Sequence, residues 1–103
     1  MKKIAIDRIC AAPLSQAFGL MFSRRQTLLF VFRKPRRVRI HSWFVFFPLT
    51  LLFLDSGQRV IGSTRLRPFS YYAAQQHASY LIEIPRPIRI KNGEKVAWEL
   101  PEG

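Results

Sequence analysis

The stretch Arg37-Val-Arg-Ile-His-Ser-Trp-Phe-Val-Phe-Phe-Pro-Leu-Thr-Leu-Leu-Phe-Leu-Asp55 decides the fold. Residues 43–54 carry no charge, so a membrane span is the first reading to test. A spanning helix needs about 20 apolar residues, and this run is shorter and broken by Pro48. Half of it is Phe, Trp or Val, which favour strands. It therefore reads as two buried strands bent at Phe47-Pro48, because proline cannot donate to a sheet ladder. Along the first strand side chains alternate between faces. Val38, Ile40, Ser42, Phe44 and Phe46 form a core face. Arg37, Arg39, His41, Trp43 and Val45 form the other, basic at one end and aromatic at the other. The second strand, residues 49–54, is apolar on both faces apart from Thr50, as a strand covered on both sides should be. Asp55-Ser56-Gly57-Gln58 then reads as a short hairpin loop in which Gly57 supplies a positive φ.

Upstream, residues 2–9 alternate weakly, as a strand would. Leu14, Ala17, Phe18 and Met21 fall at helical spacing behind Pro13, which predicts one short N-terminal helix. Residues 27–32 form an apolar strand, and Arg33-Lys34-Pro35-Arg36-Arg37 a strongly basic turn leading into the central stretch. Downstream, residues 58–66 make a strand with Gly62 at a bulge or a close approach. Residues 71–76 read as irregular, with one helical turn. Residues 77–84 form a strand with Ala78, Tyr80, Ile82 and Ile84 inward. Asn92-Gly93 is a strong turn signal before a last strand that places Val96 and Trp98 on one face. The pattern predicts a mainly β, α+β fold with one helix: a compact antiparallel barrel-like or rolled sheet of six to seven short strands.

The chain has 103 residues, the size of a single domain spanning 1–103. Its 49% hydrophobic content places it among globular proteins. Seventeen basic residues against six acidic ones give a net charge of +11, which attracts polyanions such as RNA or DNA. A proteome that is basic throughout would give the same number. One cysteine, Cys10, excludes an internal disulfide and a cysteine-based metal cluster. The N-terminus starts like a signal peptide, but Asp7 and Arg8 interrupt the apolar region. No span follows, so the sequence predicts a cytoplasmic protein.

No catalytic constellation is visible. No serine sits in a nucleophile elbow, and glycine-rich phosphate loops are absent. The histidines, His41 and His77, lie on separate strands away from Cys10, so neither a metal nor a cofactor is predicted. What remains is the basic run Arg33, Lys34, Arg36, Arg37 and Arg39, which can contact phosphates in a salt-dependent way. Trp43, on the face of Arg37 and Arg39, could stack on a base. The rival site is a small-molecule or enzymatic pocket that gathers His41, Trp43, Thr50 and Glu83.

Several short motifs follow one another in a familiar order. They are Gly19-Leu20-Met21-Phe22, Leu28-Leu29-Phe30, Ile40-His41 and Phe46-Phe47-Pro48-Leu49, then Phe53-Leu54-Asp55, Leu81-Ile82-Glu83 and Gly93-Glu94. On these the chain resembles the family called domain of unknown function 192, especially its archaeal branch, over about residues 12–98. The resemblance implies a compact, mainly β fold with a small helix and no established activity. It also implies an aspartate at Thr50, a glycine at Thr27 and a glycine shortly after the glutamate, where this chain has Pro85-Arg86-Pro87. The glutamate itself is matched by Glu83. These readings converge on a small domain that acts by binding a polyanion, with the pocket as the alternative.

Overall fold

The computed structural model describes residues 1–10, 25–41 and 47–101, with His41 described by its backbone alone. The helix expected over residues 13–21 lies outside these. Seven strands run through the described chain: β1 (Lys2–Ala5), β2 (Arg8–Cys10), β3 (Leu28–His41), β4 (Leu49–Leu54), β5 (Val60–Leu66), β6 (Tyr71–Ile84) and β7 (Val96–Glu99). Five of them form one sheet in the order β2-β3-β6-β4-β5, and β1 pairs with β7 in a second sheet. The edges β2 and β5 are not paired with each other, so the described strands make an open sheet rather than a closed barrel. Nor is the pairing wholly antiparallel: β1 with β7 and β2 with β3 run parallel. The parallel pairs arise because residues 2–10 form two strands rather than one. Asp7 makes the break. Its carboxylate accepts from the Thr27 backbone N–H at 2.7 Å, and its own N–H donates to the Thr27 carbonyl at 2.9 Å.

β4 is the centre of the fold. All six of its residues are buried. Leu49, Leu51 and Phe53 project from one face, joining Leu28, Phe30, Val38, Ile40 and Leu81. Leu52 and Leu54 project from the other, with Leu29, Ile82, Ile84 and, from the small sheet, Ile4 and Val96. Trp98 packs on this second cluster beside Tyr80, ring centroids 5.0 Å apart. Fully burying such aliphatic side chains stabilises by roughly 1.5–3 kcal/mol each before entropy is counted.

The long strands β3 and β6 correct two expectations. Residues 33–37 are not a turn, and residues 71–76 are not irregular; both belong to 14-residue strands. Their pairing absorbs the sequence's irregularity as bulges. Val31 pairs with Tyr80 and Arg36 with Ala78, five steps on β3 against two on β6. Arg37 then pairs with His77 and Arg39 with Ala73, two steps against four. Pro35, which has no N–H, sits inside the first bulge, where it costs no ladder bond. The same shift splits the inward row of β6, so that Ala78 joins the first cluster while Tyr80, Ile82 and Ile84 join the second. The start of β6 folds back over the first face, stacking Tyr72 on Phe53 at 5.6 Å.

The loop after β4 is an aspartate-built turn. Asp55 Oδ1 accepts the N–H groups of Gly57 and Arg59, each at 2.9 Å. The positive φ of 64° falls on Gln58 and not on Gly57. At the second turn Gly93 does take a positive φ, 88°. A bulge with Ile61 as its extra residue lies beside Gly62, since Phe53 pairs with Gly62 and Leu54 with Val60.

Candidate functional site

Alternation places the basic residues of β3. Val38 and Ile40 are buried, so Arg37 and Arg39, which alternate with them, point to the opposite face, and both are exposed. Arg33, Lys34 and Arg36 are exposed as well. Arg36 lies over the Phe32 ring at 5.3 Å, a cation–π contact that holds the guanidinium at the surface without neutralising it. Across the ladder Arg37 faces the exposed His77. Beside them a groove of about 500 Å³ is lined by Arg37, Arg39, Ala73, Ala74 and Gln75. The two-residue bulge on β6 opens this groove, because Ala74, Gln75 and Gln76 lie between the two paired positions. Neither β3 nor residues 71–79 of β6 contain an Asp or Glu. The structure therefore brings all five basic residues onto one strand, Arg33 and Lys34 inside the first bulge and Arg36, Arg37 and Arg39 at the paired positions beside the bulges. A strand with uncompensated cations and a groove of small side chains can follow a phosphate backbone through charge.

The four pocket residues do not share a surface in the same way. Trp43 lies outside the described residues. His41 pairs with Tyr71 at the far end of β3, while Glu83 pairs with Leu28 at the near end. Glu83 also pairs with Leu51, on the face of the first cluster. Thr50, one position earlier on β4, belongs to the other face. Thr50 and Glu83 are thus on opposite sides of the same sheet.

Each still has a defined environment. Glu83 is 5% exposed, and burial pushes its carboxyl up to about 7. Cys10 lies on the same face, paired with Phe30. Burial raises its thiol first, the Glu83 charge adds to this, and Arg8 works against both, so the thiol is a poor nucleophile. The Thr50 hydroxyl donates to the Arg86 carbonyl at 2.7 Å and accepts from the Arg65 guanidinium at 2.8 Å. Arg65, Arg86 and His77 were not legible as site residues in the sequence. Their relevance depends on which strand lies beside which, and alternation within a strand carries no such information. Among the described residues no group of three or more His, Cys, Asp or Glu could hold a metal ion. Nor is any described helix long and apolar enough to cross a membrane.

The family described as Uncharacterized ACR, DUF192, matches residues 3–98. The chain belongs to the DUF192 family. Its archaeal relatives agree with that assignment. A UPF0127 protein of Pyrococcus horikoshii is 35% identical, covering 88% of this chain and 85% of that one. A UPF0127 protein of Pyrococcus furiosus is 30% identical, covering 94% and 90%. Two solved structures share the fold. One, a protein of unknown function from Novosphingobium aromaticivorans, aligns with a TM-score of 0.64 at 20% identity over 75% of this chain. The other is a candidate transcription regulator from Sinorhizobium meliloti, with a TM-score of 0.64 at 25% identity over 75% of this chain. The chain spans 60% and 65% of the length of these two structures.

Proposed function

We propose that this member of the DUF192 family is a cytoplasmic binding module whose basic strand takes a polyanion such as RNA or DNA. One observation carries the reading: Arg33, Lys34, Arg36, Arg37 and Arg39 are all exposed on β3, and neither β3 nor the part of β6 paired with its basic half holds an acid. Among the described residues these cations therefore have no acid on their own strand or on the stretch of β6 paired with it, which leaves a surface that favours a polyanion. Phosphate contacts supply affinity and salt dependence but no sequence information, so the module is expected to bind with little sequence preference. The Sinorhizobium meliloti structural relative is described as a candidate transcription regulator, and a nucleic-acid ligand is in keeping with that description.

The test is a titration of nuclease-treated, salt-washed protein against labelled single-stranded RNA, duplex RNA and duplex DNA at two salt concentrations. Binding that is micromolar or tighter at physiological salt and differs among the three supports the proposal. Weak, equal binding that disappears with salt would mean that the +11 charge is a bulk property of the chain.

A further inference from the structure

A second cationic feature lies at the other edge of the large sheet, separated from β3 by β6 and β4. Thr50 and Arg65 are directly paired on β4 and β5, so their side chains rise from the same face. The Arg65 Nη1 donates to the Thr50 hydroxyl at 2.8 Å, and that hydroxyl gives its own proton to the Arg86 carbonyl at 2.7 Å. Thr50 is 5% exposed, so its oxygen is a fixed post that aims the exposed guanidinium. The post is neutral. Among the described residues no carboxylate pairs with Arg65, and no other hydrogen bond is made by it. A guanidinium carries five N–H donors in a rigid fork, and only one is used here. Arg65 lines a groove of about 320 Å³ together with Thr50, Ser63, Thr64, Pro87 and Ile88, with no acid among them. Ser63 pairs with Leu52, two positions along from the Thr50–Arg65 pair, which puts its hydroxyl on the same face as Arg65.

An arginine aimed by a neutral hydroxyl, with the exposed Ser63 on the same face, offers the donors that a tetrahedral oxyanion accepts, guanidinium supplying two parallel hydrogen bonds. We infer that this groove is a phosphate subsite, in which Arg65 takes two oxygens of a phosphate monoester or free phosphate and Ser63 donates to a third. It is separate from the basic strand and does not rest on that reading.

The test follows the Arg65 Nε–H and the amides of Ser63, Thr64 and Ile88 by NMR on the full chain. Inorganic phosphate is titrated against sodium chloride of equal ionic strength. A saturable shift of these signals with phosphate and none with chloride is expected. Arg65→Gln should abolish it, and Thr50→Asp, which sets a carboxylate against Arg65, should weaken it by about tenfold or more. Arg36→Ala with Arg37→Ala should leave it unchanged, which separates this site from the basic strand. A dinucleotide with and without a 5′-phosphate then distinguishes phosphate carried on a nucleotide from the free anion. Equal shifts in chloride, shifts mapping to β3 instead, or unchanged binding in Arg65→Gln would overturn the inference. Should Thr50→Asp fail to fold, the wild-type map and Arg65→Gln decide, because Arg65 is exposed and its loss leaves the core intact.

Discussion

Glu83 is the residue whose environment departs furthest from its chemistry. Its carboxyl sits between Leu28 and Leu51 with its neutral form favoured up to about pH 7. The folded value is raised above that of the unfolded chain. The stability linked to it is therefore fully present below about pH 4.5 and is lost as pH rises through 7. At 1.36 kcal/mol per unit, the loss is roughly 3 kcal/mol. Urea denaturation at pH 5 and pH 8.5 should show the wild type weaker at the higher pH and Glu83→Gln nearly level. A wild type equally stable at both values would show that the carboxylate is solvated. Thr50 belongs to the same scale. Thr50→Val keeps the shape but leaves the Arg86 carbonyl without its donor, and should cost about 1–2 kcal/mol in the same assay. Both residues stood out in the sequence because each is a polar group in an apolar strand. What could not be read there is that they face opposite ways, since the parity of β4 relative to β6 is set by register and not by either strand alone.

The turns and bulges set the behaviour of the elements. Gly93 holds a φ of 88° with open space where a Cβ would lie, so Gly93→Ala suffers from backbone strain alone and should cost about 1 kcal/mol. The loop after β4 reverses the expectation drawn from its glycine. Gln58, not Gly57, is left-handed, so Gln58→Gly should be neutral or stabilising by up to about 1 kcal/mol. Thermal melts should show Gly93→Ala lowered and Gln58→Gly unchanged or raised; a fall in both would mean that Gln58 contributes contacts outweighing its strain. The buried strand β4, the Asn92-Gly93 turn and the bulge beside Gly62 were legible because each is written in local residue types. The basic segment was misread as a turn for the same reason. Local chemistry at Arg33-Lys34-Pro35 resembles a loop, and only pairing with β6 across a three-residue bulge makes it strand.

For the whole molecule, we propose that the charge on β3 is a surface for a polyanion rather than a general property of a basic chain. The two apolar clusters on the faces of the large sheet explain why that charge is where it is. One is walled mainly by leucine and phenylalanine and the other by leucine, isoleucine and valine, and the cations of β3 are the exposed residues of its bulged middle. A compact antiparallel barrel-like or rolled sheet was expected from the strand pattern; the described strands form two open sheets instead, the first ten residues pairing parallel at two places. Replacing Leu81, buried at the crossing of β3, β6 and β4, by alanine should cost about 2–5 kcal/mol, and a loss near zero would contradict this account of the core. The central claim is tested most directly by the salt dependence of nucleic-acid binding in Arg36→Ala/Arg37→Ala beside the wild type. If these residues contact phosphates, affinity falls and the slope of log K against log salt flattens by roughly 1.4 to 1.8. An unchanged affinity and slope would contradict it and leave the basic strand without a ligand.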